Sequence, residues 1–108
     1  MKSFEFEGYV CHLGQTSKEN WDILDEAKDH HLFFHLASFP SGYVILEYQE
    51  KYTPEMLVIA AEICKNGTKY RKLRDLKVDY CSCDNLKKGE KTGEVIFKSK
   101  RNVKQIKL

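Results

Sequence analysis

Leu32-Phe33-Phe34-His35-Leu36-Ala37-Ser38-Phe39-Pro40-Ser41-Gly42-Tyr43-Val44-Ile45-Leu46-Glu47-Tyr48 is the stretch on which the fold turns. Leu32–Leu36 is an apolar run of strand length, and Tyr43–Tyr48 is rich in β-branched and aromatic residues. Ser38-Phe39-Pro40-Ser41-Gly42 between them is made of turn formers. Runs of this kind suit a pleated surface, and the Pro and Gly between them interrupt it. The segment predicts an antiparallel hairpin with a long loop.

A helix follows directly. In Thr53-Pro54-Glu55 a hydroxyl can cap the first turn, Pro suits the first helical position, and an acid sits near the positive end of the dipole. Met56, Ile59, Ala60, Ile63 and Cys64 form its apolar stripe. Asn66-Gly67 predicts its end, with Gly67 in a left-handed cap. On the N-terminal side, Phe4, Phe6, Gly8 and Val10 alternate with Glu5, Glu7, Tyr9 and Cys11, which predicts one strand ending before Gly14. Thr16-Ser17-Lys18-Glu19 has the form of a capping box. Trp21, Leu24 and Lys28 continue at helical spacing, beside Ile23 and Ala27, and that helix ends before His30-His31.

On the C-terminal side, Leu76, Val78 and Tyr80 share one face of a strand that runs to Cys81. Asp84–Thr92 predicts a polar loop, Gly93–Phe97 a strand, Ser99–Asn102 a turn and Val103–Leu108 a closing edge strand. Lysines suit such an edge, because like charge opposes pairing with another chain. The order β-α-β-β-α-β-β-β places the chain in the α+β class, with a single mixed or antiparallel sheet and two helices packed on it.

With 108 residues the chain has room for one domain, spanning 1–108. Apolar residues make up 42% and charged residues 31%, which excludes a disordered or fibrous class. No apolar run is long enough to span a membrane, and Met1–Glu7 lacks a signal-peptide pattern. The expected setting is intracellular, and cytoplasmic in preference to nuclear. In that setting Cys11, Cys64, Cys81 and Cys83 are expected as free, reduced thiols.

The net charge is only +2, but it is unevenly distributed. Met1–Cys64 carries four basic residues against eleven acids, a net of −7, and Lys65–Leu108 carries fourteen against five, a net of +9. A polar chain of this kind has an anion-attracting half. Two basic segments stand out there. Lys69-Tyr70-Arg71-Lys72 sets an aromatic ring among cations, and Asn85-Leu86-Lys87-Lys88-Gly89-Glu90-Lys91 carries three lysines in a polar stretch. Phosphates call for cations and amide donors, and unstacked bases call for a ring.

The elements of catalysis are missing by comparison. His12, His30, His31 and His35 show no metal-ligand spacing; His31 and His35, four apart along a strand, stand about 13 Å from each other. No Cys–His–third-group constellation, phosphate-binding glycine loop or dinucleotide motif is present. A non-catalytic protein without cofactor or metal is expected.

Further segments carry a resemblance. They are Gly14-Gln15-Thr16-Ser17-Lys18-Glu19-Asn20, His31-Leu32-Phe33-Phe34-His35, Ser41-Gly42-Tyr43-Val44, Ala60-Ala61, Val78-Asp79-Tyr80 and Asn85-Leu86-Lys87-Lys88, followed by Gly93-Glu94-Val95. In this order the chain resembles the NFACT-R family, the RNA-binding domain found at the C-terminus of NFACT proteins and also as stand-alone small proteins. His31 stands where the family has Asp, Phe33 where it has Trp, Tyr43 where it has a second His, and Gln15 where it has Arg. The resemblance implies binding of structured RNA, tRNA or rRNA, and association with the large ribosomal subunit and its quality control. It does not carry a ribosome-rescue or tailing activity to this chain. Some relatives are associated with DNA, so DNA is an alternative ligand, and an adaptor docking on an acidic protein is the alternative of another class. The expected contacts are Lys69, Arg71, Asn85, Lys87, Lys88 and Lys91 for phosphate, His35 near the site, and Tyr70 as a stacking ring.

Overall fold

Alternation at the N-terminus continues through Gly8, but the strand does not. In the computed structural model, which describes residues 1–48 and 50–108, the expected single strand is a hairpin of β1 (Lys2–Phe6) and β2 (Tyr9–Leu13). Glu7-Gly8 is the two-residue turn, and Gly8 has φ +87°, a left-handed backbone that glycine adopts without the strain a side chain would add. The helix α1 (Ser17–Glu26) follows, then β3 (Leu32–Leu36) and β4 (Val44–Glu47), which pair antiparallel as the central hairpin. The helix α2 (Pro54–Asn66) begins as its sequence requires, with the Thr53 hydroxyl accepting the Met56 N–H and Pro54 in the first turn. Gly67 is not left-handed, having φ −79°. It lies close to Leu13, and a Cβ there would crowd the Leu13 side chain at 3.1 Å.

β5 (Lys77–Ser82) pairs with β3, and β8 (Lys104–Lys107) pairs with β5 at the sheet edge. The main sheet is antiparallel throughout, with strand order β1-β2-β4-β3-β5-β8. The α+β class with two helices therefore holds, with one addition. The stretch expected as a polar loop contains β6 (Leu86–Lys88), which pairs with β7 (Val95–Phe97) as a separate two-stranded ribbon. Lys87 and Lys88 lie on that strand and not on a loop. The pattern Leu-Lys-Lys is too short and too polar to announce a strand by its own periodicity.

Both faces of the sheet are covered. Cys11, Leu13, Phe34, Leu36, Val44, Leu46 and Val78 point to one face, where Met56, Ala60, Ala61 and Cys64 of α2 pack on them. Phe33, Ile45 and Cys81 point to the other, beneath Ile23 of α1 and Leu86, Val95 and Phe97 of the ribbon. Adjacent Phe33 and Phe34 are each fully buried, one on each face. Burying a ring of this size contributes about 2–3 kcal/mol, so this strand anchors both layers.

Candidate nucleic-acid interface

The N-terminus of α1 is held against the start of β4 by close-packed glycines. Thr16 Oγ1 accepts the Glu19 N–H at 3.1 Å, and Glu19 Oε1 accepts the Gln15 N–H at 3.1 Å, one residue earlier than a capping box would have it. Asn20 is buried, and its Oδ1 accepts the Tyr43 N–H at 3.1 Å. The Gly14 N–H donates to the Tyr43 carbonyl at 2.9 Å. A Cβ on Gly42 would collide with the Gly14 carbonyl, and one on Gly14 with Asn20 Oδ1. Ser41 Oγ accepts the Leu36 N–H at 3.0 Å and donates to the Gly42 carbonyl at 2.9 Å.

This junction forms the floor of an open polar cleft of about 370 Å³. Its walls are the entry to α1 (Gln15, Thr16 and Ser17), Ser41 and the loop after α2 (Thr68, Lys69, Tyr70). A helix begins with amides that have no partner within it. Here Thr16 takes the Glu19 amide, while no side chain among the described residues takes those of Ser17 and Lys18. The cleft thus combines a helix N-terminus, the hydroxyls of Thr16 and Ser17 and the exposed Lys69, which together suit an anionic group, while Ser41 and Thr68 already donate their protons to the Gly42 and Lys65 carbonyls.

The ribbon docks on the same helix. Trp21 Nε1–H donates to the Glu94 carbonyl at 3.0 Å, the Tyr43 hydroxyl donates to the Gly93 carbonyl, and Lys88 Nζ lies 4.9 Å from the centre of the Trp21 ring and 2.5 Å from Asp25 Oδ1. Gly93, with φ +89°, touches Ser17 so closely that a Cβ would lie 2.8 Å from its Cα. The turn holding Lys91 and the loop holding Lys69 therefore approach the same first turn of α1.

The expected contact residues divide accordingly. Lys69 lines the cleft; Arg71, Lys87 and Lys91 are exposed, Arg71 with only a long 3.5 Å bond back to the Thr68 carbonyl. Lys88 is engaged with Asp25 and Trp21, so it reaches a phosphate only by leaving them. Tyr70 lines the cleft, but its ring packs on Phe39 with centroids 4.5 Å apart and carries Lys69 Nζ 5.4 Å from its centre, which limits it as a stacking platform. Asn85 does not belong to the contact set. It is 6% exposed, its Nδ2 donates to the Ser99 carbonyl and its Oδ1 accepts the Ser99 N–H, both at 2.9 Å. His35 lies on the ribbon side of the sheet, half-buried, parallel to Phe33 at 6.4 Å and edge-on to Tyr43 at 5.3 Å, and is not a wall of the cleft. Burial holds its imidazole below the usual histidine range.

The four cysteines are free. Burial pushes the Cys11 and Cys83 thiols up to about 12 and those of Cys64 and Cys81 to about 11, so none is a ready thiolate nucleophile. Among the described residues no three His, Cys, Asp or Glu side chains converge as metal ligands, and no helix is long and apolar enough to cross a membrane.

The fold is similar to that of the C-terminal part of the fibronectin/fibrinogen-binding protein from Streptococcus suis. The two superpose with a TM-score of 0.85 at 24% sequence identity, over 98% of this chain and 43% of that one. The chain thus spans under half the length of the structure it matches. No family model and no curated protein matches the sequence. Sequence reasoning missed Thr16, Ser17, Ser41 and Thr68 as cleft residues. The signal lay in Gly14…Asn20 and Ser41-Gly42, quoted as segments of a resemblance and brought together here as one junction.

Proposed function

We propose that this protein binds nucleic acid without chemistry of its own, RNA in preference to DNA, as a domain of the NFACT-R kind. The observation that carries the reading is the cleft in which the start of α1, with the hydroxyls of Thr16 and Ser17, and the exposed Lys69 line one opening. Backbone amides, hydroxyls and a lysine are groups that take phosphate and read no bases, so binding is mostly insensitive to sequence. Arg71, Lys87 and Lys91 are exposed and are the further cations of this reading. Structured RNA such as tRNA or rRNA, including that of the large ribosomal subunit, is the ligand class proposed, in an intracellular and mainly cytoplasmic setting. The raised thiols favour a binding role over nucleophilic catalysis.

The test is RNA affinity at several salt concentrations. If about four phosphates are neutralised, log K falls against log salt with a slope of roughly −3 on a single strand. Replacing Lys69 and Lys91 together by Ala weakens binding to all sequences alike and flattens the slope by about 1.4. An unchanged slope in the folded double variant excludes the cleft. Failure of wild type to bind RNA or DNA at low salt, with capture by an acidic protein instead, makes the adaptor reading the correct one.

A further inference from the structure

A second cavity, of about 330 Å³, lies on the α1 side of the sheet at its β1 end. Ile23, Ala27 and Ile45 give it an apolar lining, and Ser3, His12, Glu26, His31 and Glu47 supply its polar groups. Its polar walls are tied in a chain. Ser3 Oγ meets His12 Nδ1 at 2.9 Å, and His12 Nε2 meets Glu47 Oε2 at 2.9 Å. This grip leaves Oε1 of Glu47 without a partner among the described residues.

His31 is the odd member. It is 3% exposed, and its Nδ1 accepts the Lys28 N–H at 3.0 Å, which places the ring proton on Nε2. Nε2 is the one buried side-chain nitrogen or oxygen without a hydrogen-bond partner among the described residues. Buried donors are almost always satisfied, so an unpartnered one on a residue that lines a cavity marks a place where a ligand atom belongs. The cavity therefore offers one neutral N–H donor beside the carboxylates of Glu47 and Glu26, over an apolar lining. Acids on its walls disfavour a phosphate there.

We infer that this cavity takes a guanine base, its O6 accepting from His31 Nε2–H and its N1–H and N2–H donating to the Glu47 carboxylate. The edge of guanine carries an acceptor next to two donors, which complements this set, whereas adenine presents a donor and an acceptor the other way round. The base can come from free guanosine or from an unstacked nucleotide in RNA. The second source rests on the proposed RNA binding; the first does not.

The experiment titrates the full chain with guanosine, inosine, adenosine and cytidine, read by amide chemical shifts and calorimetry. Guanosine is expected to bind best, inosine more weakly because it lacks the N2 amino group, and adenosine and cytidine least. Binding is insensitive to salt, since the nucleoside carries no phosphate, and Lys69→Ala leaves it unchanged. Glu47→Gln and His31→Asn each weaken guanosine binding about tenfold or more; Asn keeps an acceptor near the Nδ1 position while removing the Nε2 donor, and shift dispersion reports that both variants are folded. Equal or absent binding of all four nucleosides by wild type overturns the inference, even where RNA binds with the expected salt slope. Guanosine binding without RNA binding upholds it and sinks the RNA reading. An oligonucleotide with one unpaired guanine separates the sources: a preference over adenine that Glu47→Gln removes assigns the RNA base, and no preference assigns the free nucleoside.

Discussion

Asn85→Ala separates a structural role from a contact role most sharply. Asn85 is 6% exposed, and its amide makes two bonds to the backbone of Ser99, each 2.9 Å. The Asn85 carbonyl accepts the Lys98 N–H at 2.8 Å, a bond the substitution leaves alone. Alanine removes both amide bonds and strands the N–H and C=O of Ser99. Each stranded buried group costs about 1–3 kcal/mol. Ser99 is only half-buried, so water reaches it in part and the low end of that range applies to each. The sum is roughly 2–3 kcal/mol, which for a domain of this size lowers Tm by about 10 °C. Urea denaturation gives the stability, and RNA titration below the unfolding transition gives the affinity of the folded form. The expected result is a large loss of stability with unchanged folded-state affinity and salt slope. A variant within 0.5 kcal/mol of wild type that loses RNA affinity tenfold would refute the reasoning and return Asn85 to the phosphate contacts.

Three further outcomes follow from the packing and the titrating groups. Gly42→Ala drives a Cβ into the Gly14 carbonyl, a backbone atom that cannot rotate away, and costs about 3 kcal/mol by urea denaturation; a loss under 0.5 kcal/mol contradicts the close-packed junction. Burial holds the His31 and His35 imidazoles below the usual value of 6.5, so the unfolded chain binds more protons there. Stability is then full above pH 6.5 and falls as pH drops through the lower folded values, which denaturation at pH 7.5 and 5.5 measures; equal stability at the two contradicts the burial of these rings. At pH 8 the native protein reacts slowly with iodoacetamide and all four thiols react once urea unfolds it, because burial lifts them to about 11 or 12; one fast native thiol contradicts that burial.

Much of the fold is legible where local signals agree. Thr53-Pro54 and Thr16…Glu19 cap their helices, and Leu32–Leu36 pairs with Val44–Glu47 as its composition requires. The edge strand at Lys104–Lys107 stands at the border its lysines suit. Where one residue type serves two purposes, the reading goes astray. Gly8 continues the alternation as well as a turn does, so the first hairpin reads as one strand. Gly67 looks like a left-handed cap but makes room for Leu13. The polar string Asn85–Lys88 reads as a loop because its burial is supplied by α1 and by Ser99, fourteen residues on.

The division between sequence and structure follows the range of the forces. Capping, alternation and charge balance are local or additive, so the α+β class, the two helices and the basic second half stand in the residues themselves. Which groups face one another depends on contacts distant in the chain. Asn20, Ser41, Gly42 and Lys69 come to line one cleft only because β4 brings Tyr43 to the N-terminus of α1. His31 becomes an unpartnered buried donor only because α1 and the β1 hairpin enclose it beside Glu47. No periodicity encodes such meetings, since each is set by packing two layers on opposite faces of one sheet.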